Sequence, residues 1–362
     1  MSLEVIYVTR HGFRPPWAVD PSTGNYTASV RSPTDLPTDP ALASHGIEQA
    51  NELAEYLLDV DPPIDQIYSS PYYRCMQTIH PFASKLRRLQ TRSSGNVSGT
   101  PRSKIRVDLG LSEWYGLANF KHPSSAPLNK LQSLFPELDA RYESSPAPSP
   151  YGESLPQFHD RVARAIDFII RRSDQDGHKA VIICTHAAVV IALGRVLTGQ
   201  VEKDFGAFTC GLSKYRRQRQ QHSTAHASLG SDSKTDANAI IPAARDDRKI
   251  REARSKPHSK DDPVGDVDLQ PHDSMSPDPG SSGKVDAGLY GGWVCELDSE
   301  CSFLSGGEER GWKFSGDESF IETDDDSVWP STAASNSDTA IEEGRTATSN
   351  NHLKSIVDKS KL

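Results

Sequence analysis

The sequence predicts an α/β domain with helices on both faces of a central sheet. Short runs rich in β-branched residues alternate with amphipathic segments of helical period, as expected of strands and helices that pack in layers. Two histidines, His11 and His186, each follow one of these runs directly. Ligands of such sheets bind beyond the carboxyl ends of the strands, so both histidines are candidate site residues.

Strands are predicted where a short apolar run stops at a polar or turn residue. These runs are Glu4–Thr9, Gln66–Ser69, Ile105–Leu109 and Ala180–Thr185. Helices are predicted to begin at Ser44, Pro71, Leu155 and Ala187, and the last of them to end near Leu197. Residues 14–43 hold six prolines and are predicted to form a long irregular connection, and the Ser/Gly/Thr-rich residues 91–103 a mobile loop.

The composition changes sharply after Tyr215. Residues 216–288 contain no Phe, Trp or Tyr and only eight Leu, Ile or Val, while twelve basic and twelve acidic residues cancel. Such a segment cannot bury enough apolar surface to offset the entropy of ordering it. We therefore predict that 216–288 is a disordered insertion, dispensable for folding.

Aromatic residues return at Tyr290. Trp293, Val294, Leu297, Phe303 and Leu304 flank Asp298-Ser299, which is predicted to be a hairpin turn, with Trp312 and Phe314 after it. The insertion would then lie between two edge strands of one domain that comprises residues 1–215 and 289–317. Residues 318–362 are acidic and Ser/Thr-rich and are predicted to form a disordered tail.

Charge and cysteine content argue against several classes of protein. The formal net charge is −9, of which residues 308–346 contribute −8 through eleven acidic and three basic residues, so no broad basic face for nucleic acid remains. Five cysteines without a C-x-x-C spacing argue against a disulfide framework or a zinc site. No Asp/His cluster has metal-ligand spacing, so neither a metal nor another cofactor is expected. No signal peptide and no membrane-spanning run is recognisable, and the expected location is intracellular, in the nucleus or the cytoplasm.

The residues around His11 suit phosphoryl transfer. A phosphomonoester is a dianion with a poor leaving group, so an enzyme without a metal needs cations for the oxygens, a nucleophile and an acid. Arginine binds phosphate oxygens through its planar fork, and neutral imidazole can attack phosphorus and hold the group as phosphohistidine. Arg10-His11-Gly12 places these two residue types together at the end of the first predicted strand.

Six segments, in chain order, resemble motifs of the histidine phosphatase superfamily, also called the phosphoglycerate mutase-like family. They are Arg10-His11-Gly12, DPALASHGIEQANELA, SSPYYRCMQT, LSEWYG, YGES followed by Arg161, and IICTHAAVVIAL. The resemblance covers residues 3–215 and 290–315. It implies a three-layer sandwich with a mostly parallel sheet and helices on both faces.

The resemblance also implies a role for each matching residue. His11 would be the nucleophile, Glu113 the proton donor, and Arg10, Arg74 and His186 the ligands of the phosphate oxygens. Where the family commonly has a polar amide after the R-H-G motif, this chain has Phe13-Arg14-Pro15-Pro16-Trp17, and Arg14 is the candidate replacement. No mutase-type insert surrounds Glu113, so hydrolysis of a phosphorylated small molecule or phosphoprotein is favoured over mutase transfer.

A narrower resemblance connects the chain to the phosphatase-like subunits of fungal transcription factor IIIC. It rests on RHGFRPPW, YYRC, SEWY, THAA, LSKY and FLSGGEERGWKF, the last of which is not a general phosphatase pattern. It implies an alternative function, a structural or interaction role beside other subunits of this RNA polymerase III factor. A third interpretation, a nucleic-acid-binding arm over 216–288, is disfavoured because acidic residues there equal the basic ones.

Overall fold

A six-stranded sheet and a smaller sheet beside it organise the part of the chain that the structure describes. The computed structural model describes residues 2–92, 102–218 and 291–316 and the backbone of residues 357–358. All of them belong to one compact unit, made of residues 1–219 and 284–362.

The strands and helices follow in the order that the sequence predicts, with additions. The strands are β1 (Val5–Arg10), β2 (Trp17–Asp20), β3 (Asn25–Ala28), β4 (Gln66–Ser69), β5 (Ile105–Val107), β6 (Ala180–Thr185), β7 (Leu212–Arg217), β8 (Trp293–Glu300) and β9 (Val357–Asp358). The helices are α1 (Ser44–Tyr56), α2 (Tyr73–Arg92), α3 (Leu128–Leu134), α4 (Leu155–Asp176) and α5 (Ala187–Thr198), with a 3₁₀ turn at Leu109–Leu111.

The large sheet has the order β5-β4-β6-β1-β7-β8. Strands β5, β4, β6 and β1 are parallel, whereas β7 is antiparallel to both of its neighbours. Every residue of β1 and of β6 is buried, which is typical of parallel strands covered on both faces. The prediction of a mostly parallel sheet is therefore confirmed.

Two hydrophobic cores lie on opposite faces of this sheet. Because successive side chains of a strand point to opposite faces, Val5 and Tyr7 of β1 join one core, whereas Ile6 and Val8 join the other. Helices α1 and α2 cover the first face, and α4 and α5 cover the second. This arrangement is the predicted three-layer sandwich.

Local sequence signals define the limits of α4. The side chain of Ser154 accepts a hydrogen bond from the backbone of Gln157, whose own side chain bonds back to the Ser154 backbone, so that a capping box begins the helix. Gly177 ends it in the left-handed conformation, at a φ of 78°. Helix α5 follows β6 after one residue and is buried along almost its whole length.

Two sequence predictions are wrong in part. Residues 14–43 are not wholly irregular, because β2 and β3 form an antiparallel hairpin there. Asp298-Ser299 is not a hairpin turn. Both residues lie within β8, where Ser299 adopts a φ of 55° beside an irregularity in the pairing with β7.

The predicted loop, insertion and tail fall largely outside the described residues. Helix α2 runs to Arg92, and most of the predicted loop 91–103 lies beyond what is described. Strand β7 runs to Arg217, past the predicted start of the insertion at 216, and residues 219–288 are not described. In the predicted tail 318–362, only β9 is described, and it pairs with β2 rather than standing apart. None of the described helices is long and apolar enough to cross a membrane.

Candidate active site

The carboxyl ends of two neighbouring strands bring the two candidate histidines together. β1 and β6 are parallel and Arg10 pairs with Thr185, so His11 and His186 follow at adjacent positions. Their ring centroids lie 5.5 Å apart, and both side chains are buried. His11 and His186 therefore lie together at the carboxyl edge of the sheet.

Arg74 lies in the first turn of α2 and connects this pair to Glu113. Its Nη2 donates to Glu113 Oε2 at 3.0 Å and lies 3.1 Å from His186 Nδ1. Its Nη1 donates to the Thr38 carbonyl oxygen at 2.8 Å and lies 3.3 Å from Asp39 Oδ1. The guanidinium is thus fixed from two sides, and it faces the histidine pair rather than solvent.

The hydrogen bonding of His11 leaves one ring nitrogen available. Its Nδ1 lies 2.9 Å from the Gly12 carbonyl oxygen, which can only accept, so Nδ1 carries the proton. Its Nε2 is buried and has no hydrogen-bond partner among the described residues. Burial and then the positive charges of Arg74, Arg10 and Arg14 hold the pKa of His11 well below its ordinary value. His11 is therefore a neutral imidazole with its lone pair on Nε2.

Glu113 and His186 lie within hydrogen-bond distance and share a proton. His186 Nδ1 lies 3.1 Å from Glu113 Oε2, and His186 Nε2 lies 2.7 Å from Ser70 Oγ. Burial raises the pKa of Glu113, but His186, Arg74 and Arg14 outweigh it and the net shift is downward. Burial lowers the pKa of His186, but Cys75 and Glu113 outweigh it, so that the net shift is upward. Both directions place the shared proton on His186 and leave Glu113 ionised.

Arg10 and Arg14 complete a concentration of positive charge. Arg10 Nη1 donates to the carbonyl oxygens of Ala207, at 2.8 Å, and of Arg310. The Arg14 guanidinium lies 5.7 Å from the centroid of the Trp17 ring. The pKa of Arg10 is lowered to about 10 and that of Arg14 to about 9. Burial is the main cause of both shifts, and the positive charge of neighbouring guanidinium groups contributes to them. Two buried arginines with weakened basicity indicate a site built to be neutralised by an anion.

All six predicted site residues are closed off from solvent. Each is at most 2% exposed: Arg10, His11, Arg14, Arg74, Glu113 and His186.

The same cluster offers ligand atoms that a metal ion could use. One ligand atom from each of His11, Glu113 and His186 lies within 4.8 Å of the others, a combination that sequence spacing does not reveal. The positive charges of Arg74 and Arg10 lower the pKa of His11, and the charge of Arg74 also lowers the pKa of Glu113. Their positive charge disfavours a cation at this position and favours an anion.

Three residues that contact the candidate site residues or the backbone beside them were not predicted from the sequence. Asp39 pairs with Arg74, Ser70 bonds to His186, and Thr78 Oγ1 accepts a hydrogen bond from the Gly12 backbone at 3.0 Å. All three lie inside segments that resemble family motifs, Ser70 and Thr78 in SSPYYRCMQT and Asp39 at the start of DPALAS. The motifs contained the residues, but no spacing rule places Asp39 against a helix that begins 34 positions later.

Comparison with protein-family models gives one match. The model described as "Histidine phosphatase superfamily (branch 1)" matches residues 6–228 of the chain. This span contains each of the candidate residues described above.

Two of the curated proteins to which the chain is similar differ in kind. The chain is 24% identical over 327 residues to the transcription factor tau 55 kDa subunit of Saccharomyces cerevisiae, covering 87% of this chain and 59% of the relative. It is 29% identical over 221 residues to the ecdysteroid-phosphate phosphatase of Drosophila melanogaster, covering 55% of this chain and 27% of the relative. The chain thus spans less than two thirds of the length of either protein.

Among solved structures, the chain is similar to the ecdysone phosphate phosphatase of Bombix mori in complex with tungstate. The identity is 21% and the TM-score is 0.43, with 59% of this chain and 89% of that chain covered.

Proposed function

We propose that this chain, a member of the histidine phosphatase superfamily, is a metal-independent phosphomonoester hydrolase that works through a phosphohistidine on His11. The observation that carries the proposal is the state of His11. Its imidazole is neutral, its Nε2 has no hydrogen-bond partner among the described residues, and arginines surround it. A nucleophile with a free lone pair inside a cationic pocket is what attack on a phosphate dianion requires.

In the first step, His11 Nε2 attacks phosphorus and the bond to the leaving oxygen breaks. Arg10, Arg74, His186 and Arg14 bind the phosphate oxygens as charge redistributes over them. Glu113 donates a proton to the leaving oxygen. That proton comes from His186, whose Nδ1 lies 3.1 Å from Glu113 Oε2. The charge of the bound dianion offsets the cations that hold the pKa of Glu113 down, so the shared proton moves to Glu113 and from there to the leaving oxygen.

In the second step, water replaces the alcohol. The Glu113 carboxylate takes a proton from water, the hydroxyl oxygen attacks phosphorus, and the N–P bond breaks. Inorganic phosphate leaves, and His11 returns to the neutral form with its proton still on Nδ1. The same carboxyl group thus acts as acid and then as base.

A His11→Ala variant tests this mechanism. We expect phosphate release from 4-nitrophenyl phosphate to fall by about 1,000-fold or more, because no other group is placed to attack phosphorus. Rapid quench into alkali should trap an alkali-stable, acid-labile phosphoryl group on the wild-type chain only. His80→Ala is the control, since His80 is partly exposed and pairs with Glu137 away from the site. Full activity in His11→Ala would contradict the mechanism.

A second candidate function is an interaction role as a phosphatase-like subunit of transcription factor IIIC. It is supported by the extent of one similarity, which spans 87% of this chain for the yeast tau subunit against 55% for the ecdysteroid-phosphate phosphatase. The two functions are compatible, because a subunit can retain catalysis. Co-purification of other transcription factor IIIC subunits with both the wild-type chain and His11→Ala, together with no turnover by the wild type across many phosphomonoesters, would favour this candidate.

A further inference from the structure

A segment far along the chain reaches the candidate active site from the side of Arg10. After β8, residues 305–312 pass beside the end of β1. The carbonyl oxygen of Arg310 accepts a hydrogen bond from Arg10 Nη1, and the carbonyl oxygen of Glu309 accepts one from Thr209 N at 3.1 Å. The backbone of Glu309-Arg310 therefore fixes Arg10 and the strand end beside it.

The side chain of Glu309 acts on a second part of the site. Its Oε2 accepts a hydrogen bond from Gln49 Nε2 at 3.1 Å and lies 2.7 Å from His45 Nε2. Gln49 is buried, and its Oε1 accepts a hydrogen bond from the Phe13 backbone N–H at 2.9 Å. Through Gln49, Glu309 thus orients the loop that carries Arg14.

The Arg310 side chain packs against the ring of Phe13, the residue that precedes Arg14. Its guanidinium carbon lies 4.0 Å from the centroid of the Phe13 ring. Arg310 adopts a φ of 48°, a left-handed conformation that is disfavoured for a residue with a Cβ and that persists only where the surroundings hold it. Glu309 and Arg310 therefore contact, directly or through Gln49, both elements proposed to bind phosphate, which are Arg10 and the Phe13-Arg14 loop.

We propose that Glu309 and Arg310 are positioning residues that hold Arg10 and the Phe13-Arg14 loop in the geometry that binds phosphate. The inference rests on the proposed function, since it assigns these residues to the anion site of that enzyme. Glu309 acts through Gln49, and Arg310 acts through its backbone carbonyl oxygen on Arg10. The segment beyond β8 is then part of the active site.

The test measures the binding of inorganic phosphate by calorimetry, without turnover, beside KM, kcat and the melting temperature. We expect Glu309→Ala to weaken phosphate binding about tenfold and to raise KM more than it lowers kcat, because it loosens the phosphate-binding loop and leaves His11 in place. Glu309→Gln keeps an oxygen acceptor for Gln49 and should restore most of the affinity. Glu296→Ala is the control, because this carboxylate pairs with Arg216 and Lys214 at the far edge of the sheet. It should leave phosphate affinity unchanged.

A double variant separates positioning from a general loss of stability. If Glu309 acts through Gln49, then Gln49→Ala with Glu309→Ala should weaken phosphate binding no more than the stronger single variant. Additive losses, or a Glu309→Ala variant that melts earlier but binds phosphate within twofold of wild type, would overturn the inference. A wild-type chain that binds phosphate but releases none from any ester would contradict the proposed hydrolase and support the positioning role alone.

Discussion

Burial and charge at single residues set the chemistry of the site. His11 is surrounded by cations but is too buried to carry a charge of its own, so it remains neutral. Arg74 keeps its charge in an equally buried position because Glu113 and Asp39 outweigh the cost of its burial and raise its pKa. The contrast between the neutral His11 and the charged Arg74 therefore follows from the two carboxylate partners of Arg74.

The pH dependence of His11 should reflect this electrostatic control. Because its folded pKa is lowered, His11 is neutral above that value, and its protonation should occur only at a pH clearly below 6.5. An Arg14→Met variant removes one positive neighbour, which favours the imidazolium and should raise the pKa of His11. NMR titration of the ring protons in the free protein measures the shift without interference from the substrate's own ionisation.

The control is Arg31→Met, which removes a highly exposed guanidinium that pairs only on the surface with Asp35. It should leave the titration of His11 unchanged. A wild-type His11 that titrates at or above 6.5, or an unchanged titration in Arg14→Met, would show that the surrounding arginines do not control the nucleophile.

Sequence alone predicted the residues of the site better than their connections. Arg10, His11 and His186 could be placed because strand ends in a parallel sheet lie at one edge. The pairing of Asp39 with Arg74 and the reach of Glu309 to Gln49 could not, because each joins segments separated by long connections. Such contacts depend on the tertiary path of irregular backbone, which periodicity does not encode.

At the level of elements, prediction succeeded where the apolar pattern was continuous or strongly periodic and failed where the residues are half-exposed or turn-like. The helix α4 carries a strong amphipathic period and clear caps, and the buried runs of β1 and β6 are continuous. The β2–β3 hairpin was missed because β2 is only half-buried and directly follows Pro15-Pro16, and no residue of β3 is fully buried. Asp298-Ser299 was misjudged because a turn-like dipeptide can also mark an irregularity inside a strand.

The side chain of Arg161 connects helix α4 to the loop that carries Glu113. From α4, its Nε donates to both carboxylate oxygens of Glu153, and its Nη1 donates to the carbonyl oxygens of Gly110, at 2.7 Å, and Ser112, at 3.0 Å. Ser112 directly precedes Glu113. We expect Arg161→Met to lower the free energy of unfolding by about 3 kcal/mol, because it leaves a buried carboxylate and two carbonyl groups without their donor.

Urea unfolding measures this loss, and kcat should fall as well, because the loop that carries Glu113 is no longer held. Arg164→Met is the matched control, since Arg164 lies one turn along the same helix, is exposed and bonds only to the Asp160 backbone. It should change stability by less than about 0.5 kcal/mol. Equal losses in the two variants would mean that the buried contacts of Arg161 contribute nothing specific.

At the level of the whole molecule, the chain leaves the large sheet and returns to it at almost the same point. Strands β7 and β8 pair up to Arg217 and Trp293, and Gln218 N donates to the Gly292 carbonyl oxygen at 2.8 Å. Gly291 and Gly292 directly precede β8 and have φ values of 91° and 87°, which glycine adopts without strain. Residues 219–288, which lie within the segment 216–288 predicted from composition to be dispensable, therefore belong to a connection between two positions that are already hydrogen-bonded neighbours.

Replacing residues 219–288 with Gly-Ser-Gly-Ser should therefore preserve the fold. The pairing of β7 with β8 stays intact, and the shorter connection reduces the entropy cost of closing the loop by about 2–3 kcal/mol in an ideal chain, so the melting temperature should be unchanged or modestly higher. A Gly/Ser replacement of the same length as the original segment is the control that isolates loop length from sequence. Its melting temperature should equal that of the wild type. Both variants should retain the KM and kcat of the wild type. A melting temperature lowered by more than about 5 °C in both would show that the segment supplies residues to the folded core, against the prediction from its composition.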